Sequence, residues 1–194
     1  RDAQESRGLG DVYKRQILLI TGLIVMSYSS VFGNLRTDTI DENFYFESID
    51  GGYINLEDFK GRPVLITNTA SNCGFTRQYN ELQKLHDEFS SSGLVVLAVP
   101  SQDFFQEFND NQKVKNFCDT NFSLTLPMTT ITNVKGKNAH PFFKWLADKH
   151  NFRPVWNFNK VLLDKQGMFV ASFGSFTNPN SRKIKSRIIN LLKN

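Results

Sequence analysis

An α/β fold, with a central mixed sheet flanked by helices, is predicted by three features of the sequence. Val64-Leu65-Ile66 and the stretch from Leu94 to Val99 are apolar, β-branched runs of buried-strand type. Between them Tyr79, Leu82, Leu85, His86 and Phe89 recur at helical spacing, so strand, helix and strand form a βαβ unit whose two strands run parallel. Asp50-Gly51-Gly52 and Lys165-Gln166-Gly167 each separate two strand-like runs, which places an antiparallel hairpin on either side of that unit. With 194 residues, 40% of them hydrophobic, one domain plus a leader is the expectation, and nothing requires a second domain.

In chain order, residues 1–16 differ from the rest. Arg-Gly-Leu-Gly-Asp-Val-Tyr-Lys-Arg-Gln leads straight into an apolar stretch and resembles translated adaptor sequence, so it is set apart from fold reasoning and the true start is expected elsewhere. Residues 17–26 have the length and apolarity of a signal peptide and are followed by Ser27, Ser29 and Ser30, with Val31-Phe32-Gly33 as a small-residue end point. The segment is short for a membrane span, which needs about 20 apolar residues. Residues 17–33 are therefore expected to be a cleaved signal or an uncleaved N-terminal anchor, with artefact as the third reading. An exported or periplasmic location follows if the segment is native, and a cytoplasmic one otherwise. Residues 34–42 form a polar connector, and the domain occupies residues 43–194.

Phe44-Tyr45-Phe46-Glu47-Ser48-Ile49 and Tyr53-Ile54-Asn55-Leu56 are the arms of the first hairpin, and residues 56–61 read as a helical turn closed by Gly61. Pro63 then leads into the central strand. Asn68 to Asn72 are small and polar, Gly74 permits a turn, and Thr76 is placed to cap the helix that ends at Ser90-Ser91-Ser92-Gly93. Past the second strand, residues 100–107 form a loop beyond a strand's carboxyl end, where open α/β sheets gather their sites. Val114-Lys115-Asn116-Phe117-Cys118 lies on a helix. Ala139-His140-Pro141 opens another whose Phe142 and Trp145 are core candidates. The hairpin built on residues 160–172 completes the sheet, and residues 181–193 form the closing helix.

Composition narrows the function classes. The net charge is +4 and the pI about 9.1, yet basic residues are interspersed with acidic ones until Arg182-Lys183-Ile184-Lys185-Ser186-Arg187, which reads as the solvated face of the last helix rather than a nucleic-acid patch. The 18 Phe fall at core-like spacings without an RNA-binding signature. His140 and His150 lack suitably placed Cys or carboxylate partners, so neither a metal nor a cofactor is expected, and His86 is a packing or surface residue. Two cysteines, Cys73 and Cys118, make neither a zinc cluster nor a disulfide scaffold, but two suffice for redox chemistry. The absence of Cys-x-x-Cys argues against a disulfide exchanger of the usual kind, and that of Cys-x-x-x-Cys against copper delivery.

Cys73 stands at a strand-to-helix junction. Unsatisfied N–H groups and the helix dipole favour an anion there, and a thiolate is such an anion. Such a Cys, taken without its context, is more often a small buried hydrophobe. The context is Asn68-Thr69-Ala70-Ser71-Asn72-Cys73-Gly74-Phe75-Thr76, which resembles the active-site segment of the glutathione peroxidase family in its cysteine form. Trp156-Asn157-Phe158-Asn159-Lys160 is similar to that family's Trp-Asn-Phe-x-Lys motif, and the likeness runs from about Asn43 to the C-terminus. The order of elements matches the thioredoxin-like sandwich that this resemblance implies.

The resemblance implies that Cys73 attacks hydrogen peroxide or an organic hydroperoxide and becomes a sulfenic acid. The Trp156 indole and the Asn157 amide are then donors to the developing charge. Likeness to the thioredoxin-using branch implies that Cys118 resolves the sulfenic acid as a disulfide, which a thioredoxin-like protein re-reduces. Glutathione is the alternative donor, and a thioredoxin-fold redox sensor or thiol oxidoreductase acting on proteins the alternative function. Export would require a donor other than cytosolic thioredoxin. Pro100, Phe104, Gln106 and Glu107 continue the likeness, but Gln102 replaces an Asn and Asp103 stands where the family has its active-site Gln. A carboxylate near Cys73 disfavours a thiolate, so Asp103 is expected to point away or to be a hydrogen-bond partner. Gln102 substitutes only if the loop shifts by one residue.

Overall fold

A computed structural model describes residues 44–193; the expected adaptor-like segment, signal or anchor, and connector lie outside the described residues. Among the described residues six strands form two sheets. β1 (Tyr45–Glu47) and β2 (Tyr53–Asn55) are the antiparallel first hairpin, with Gly51 and Gly52 at φ +94° and +72°, as its turn requires. The main sheet has the order β4-β3-β5-β6, from β3 (Val64–Thr69), β4 (Val95–Pro100), β5 (Lys160–Leu163) and β6 (Phe169–Phe173). β3 and β4 are parallel, as the βαβ reading requires. β5 joins β3 antiparallel and β6 joins β5 antiparallel, with a bulge between Leu162 and Leu163, so the sheet is mixed.

Strand alternation divides the core between the two faces of this sheet. Val64, Ile66, Val95, Leu97, Val99, Val161 and Leu163 pack with Phe44 and Phe46 and with Phe142, Trp145 and Leu146 of α3 (Pro141–His150). Leu65, Val96, Ala98 and Leu162 pack on the other face with three helices: α1 (Gln78–Phe89), α2 (Asn111–Phe122) and α4 (Arg182–Lys193). The result is the three-layer α/β sandwich expected. Ile184 and Ile188 anchor α4 while Arg182, Lys183 and Arg187 face solvent.

The histidines take packing and capping roles. His140 caps α3 through Nδ1, which accepts from the Phe142 N–H at 3.2 Å, and its ring stacks on Phe46. His150 lies between Trp145 and Phe169. One local expectation is corrected. Thr76 does not cap α1, which starts two residues later at Gln78; its hydroxyl is used inside the preceding turn. That turn does not depend on glycine either, since a Cβ on Gly74 meets nothing within 4 Å.

Candidate active site

Three loops meet at the carboxyl ends of β3 and β4, and each is fastened to the others by hydrogen bonds. The first, residues 70–77, carries Cys73. Thr76 Oγ1 accepts the Cys73 N–H at 3.0 Å and lies 2.7 Å from Cys73 O and 2.9 Å from Ala70 O, to either of which it donates. The Cys73 turn is thereby closed without help from α1. Within it the Phe75 N–H donates to Cys73 Sγ at 3.4 Å, a contact that stabilises negative charge on sulfur. Cys73 is 8% exposed, so it lies at the boundary of the core with a small part of its surface in solvent.

The second loop, residues 156–159, carries Trp156 and Asn157. Asn68, at the end of β3, holds it from both sides: Asn68 O accepts from Phe158 N at 2.6 Å, Oδ1 accepts from Asn159 N at 3.0 Å, and Nδ2 donates to Trp156 O at 3.0 Å. Phe158 adopts φ +61°, the left-handed region in which a bulky residue is uncommon, and Asn68 O accepts its N–H. The Trp156 side chain is 41% exposed, whereas Asn157 is fully buried.

The third loop, residues 101–107, links the other two. Asn72 N donates to Gln106 O at 2.8 Å, and Asn157 Nδ2 donates to Gln106 Oε1 at 3.1 Å. Gln106 thus joins the residue before Cys73 to the carboxamide of Asn157. Ser71 N also donates to Glu107 Oε1, and the Phe104 ring lies 5.6 Å from the Trp156 ring. Burial raises the Glu107 carboxyl above its usual range. The other two candidates in this loop face elsewhere. Asp103 Oδ2 accepts from Val134 N at 2.6 Å and Lys135 N at 2.9 Å, while Gln102 Oε1 accepts from Glu107 N at 2.7 Å.

Cys118 sits on the inner face of α2, 1% exposed, and both cysteines are free thiols. Burial pushes its thiol up to about 12, opposed in part by the Tyr79 hydroxyl beside it. Cys73, Tyr79 and Cys118 belong to the same apolar cluster. Among the described residues no group of three His, Cys, Asp or Glu converges as a metal site would require.

Sequence reasoning missed Gln106 as a site residue, although Gln106-Glu107 was part of the resemblance. It also missed Lys160, whose enclosed Nζ donates to Gln78 Oε1 and Thr177 O, both at 2.6 Å. An ionisable residue at the start of an apolar strand was the available signal.

Comparison with known proteins gives concordant results. A family model described as glutathione peroxidase matches residues 42–147. The hydroperoxy fatty acid reductase of Synechocystis sp. is 39% identical over 148 residues, 71% of this chain and 88% of that protein. A glutathione peroxidase-like peroxiredoxin of Chlamydomonas reinhardtii is 40% identical over 139 residues, 69% of this chain and 86% of its own. Among solved structures, that of Trgpx in apo form superimposes with a TM-score of 0.60 at 31% identity, covering 78% of this chain and 94% of that one.

Proposed function

The chain belongs to the glutathione peroxidase family and is a thiol-dependent peroxidase of hydrogen peroxide or organic hydroperoxides; from that premise we propose that Cys73 is its peroxidatic residue and Cys118 its resolving one. In the first step the Cys73 sulfur attacks the terminal oxygen of the hydroperoxide and the O–O bond breaks. Sulfur gains that oxygen as a sulfenic acid, and the thiol proton ends on the departing alcohol or water. Charge passes from sulfur to the leaving oxygen, so neutral donors that follow it are what the step needs. The Phe75 N–H is one, and the Asn157 amide and Trp156 indole are proposed as the others. The observation that carries this reading is the braced turn: a thiol that accepts a backbone N–H, tied through Gln106 to Asn157.

In the second step the Cys118 sulfur displaces the sulfenic oxygen as water and a disulfide forms. Bridging needs Cα atoms within about 7 Å. It also needs a thiolate, and a thiol held at about 12 supplies about three thousand times less of it at neutral pH than an ordinary one near 8.5. Local opening of α2 serves both needs, because it brings Cys118 into water and frees it to reach Cys73. A thioredoxin-like protein then reduces the disulfide. The burial of Cys118 favours one alternative, direct reduction of the sulfenic acid by glutathione. Export, with residues 17–26 as signal or anchor, completes the proposal and is checked by cell fractionation.

Peroxide consumption with thioredoxin or glutathione as reductant, measured on the chain and on its Cys73→Ser and Cys118→Ser variants, tests each part. Loss of all turnover in Cys73→Ser, with loss of only thioredoxin-supported turnover in Cys118→Ser, is the expected pattern. Full activity of Cys73→Ser would end the reading. Undiminished thioredoxin-supported turnover of Cys118→Ser would remove Cys118 from it, and wild-type turnover with glutathione but none with thioredoxin would establish the alternative.

A further inference from the structure

Among the polar side chains of the 101–107 loop, Gln102, Asp103 and Gln106 are sent in three directions. Asp103 accepts two backbone N–H groups from residues 134 and 135. Gln102 folds back on its own loop, with Oε1 on Glu107 N and Nε2 on Asn109 Oδ1. Gln106 alone turns toward Asn157. The turn that allows this is made at Phe105, which adopts φ +59° and places its ring in solvent, 88% exposed. A bulky residue in that region is uncommon and costs about 1–2 kcal/mol.

We propose that Gln106 is a positioning residue of the peroxidase site, holding the Asn157 carboxamide so that its nitrogen end serves the reaction, and that Asp103 is a loop fastener outside the chemistry. The proposal rests on the peroxidase reading above. Its physical basis is that the two ends of an amide are opposite in character: the N–H end attracts a thiolate or a leaving alkoxide, and the oxygen end repels it. Something must therefore distinguish the ends. Asn157 is fully buried, and its Oδ1 has no hydrogen-bond partner among the described residues, so that end supplies no orienting contact. The bond from Nδ2 to Gln106 Oε1 supplies it, and no second acceptor for the same nitrogen is found among the described residues, which leaves its other hydrogen to donate. Gln106 is itself held by the Asn72 N–H, so its acceptor is registered against the residue next to Cys73. Asp103 cannot do the same work at lower cost, because a carboxylate turned toward a thiolate adds like charge, whereas two backbone donors already satisfy it where it lies.

The test is the second-order rate at which hydrogen peroxide oxidises Cys73 in the reduced full-length chain, followed in single turnover by stopped flow. Gln106→Ala is expected to slow oxidation about tenfold to hundredfold, the scale of a misplaced rather than a missing donor. Asp103→Asn, which keeps an acceptor for residues 134 and 135, is expected to stay within about threefold. Because Gln106 acts through Asn157, the double variant Gln106→Ala/Asn157→Ala should be no slower than Asn157→Ala alone. Gln106→Met keeps the side-chain length without the acceptor and replaces Gln106→Ala if thermal melting shows that the latter unfolds. Independent, multiplying losses in the double variant, or an Asp103→Asn rate as low as that of Gln106→Ala, would overturn the proposal. Failure of the wild-type chain to be oxidised would instead sink the peroxidase reading itself, and the two failures are thereby distinguished.

Discussion

Replacing Lys160 by Met is expected to remove part of the pH dependence of stability, by an amount the structure allows to be worked out. The Lys160 ammonium is fully enclosed, and burial lowers its pKa to about 7. Among the described residues its hydrogen-bond partners are Gln78 Oε1 and the carbonyls of Ser175 and Thr177, with no carboxylate. In the unfolded chain a Lys titrates near 10.4. Above about pH 7 the native state has therefore given up a proton that the unfolded state keeps, and stability contributed by this residue rises with pH across the window from about 7 to about 10. Between pH 6 and 8 the two pKa values give about a tenfold change in the folded-to-unfolded ratio, or about 1.4 kcal/mol. With a urea slope of about 2 kcal/mol per molar, the gap between wild-type and Lys160→Met midpoints should move by about 0.7 M over that range, wild type gaining. His86 and His140, both lowered by burial, are present in both proteins and cancel from the difference. Urea unfolding followed by tryptophan fluorescence at pH 6, 7 and 8 is the assay. Midpoints that run parallel for the two proteins would show that the native state keeps Lys160 charged and that the argument from burial is wrong.

Asp110 Oδ1 caps α2 by accepting the Lys113 N–H at 2.8 Å, so Asp110→Ala should destabilise that helix by about 1 kcal/mol. If opening of α2 limits resolution, disulfide formation should quicken about fivefold in a quench assay; an unchanged or slower rate would count against the opening step. Alkylation of Cys118 in the reduced protein at neutral pH should be about a hundredfold slower than that of an ordinary thiol near 8.5, since burial pushes the thiol up to about 12 and the greater nucleophilicity of its thiolate offsets about half of that loss. A Cys118 that reacts like free cysteine contradicts this. Asn68→Ala removes two side-chain bonds to the 156–159 loop and should cost about 2–3 kcal/mol in thermal or urea unfolding. It should also slow peroxide oxidation, and a variant as stable and fast as wild type would show that Asn68 does not hold the loop.

What the chain determined by itself was what repeats locally. The uninterrupted apolar runs of β3 and β4, the 3.6-residue spacing from Tyr79 to Phe89 and the glycines at 51 and 52 each state a backbone preference that neighbours along the chain suffice to impose. The strand-to-helix position of Cys73 was legible for the same reason, whereas its candidacy as a reactive thiol came from the resemblance of the 68–76 segment. Residues 101–107 carry no period, so their sequence could not say whether Gln102, Asp103 or Gln106 turns inward. That choice was made by Phe105 adopting a left-handed φ and by donors at residues 134 and 135, about thirty positions away. The pKa of Lys160 is lowered, and that of Cys118 raised, only because α1, α2 and the 174–177 loop exclude water from them. Desolvation depends on everything that surrounds a group, most of it distant in sequence, and so belongs to the tertiary structure alone.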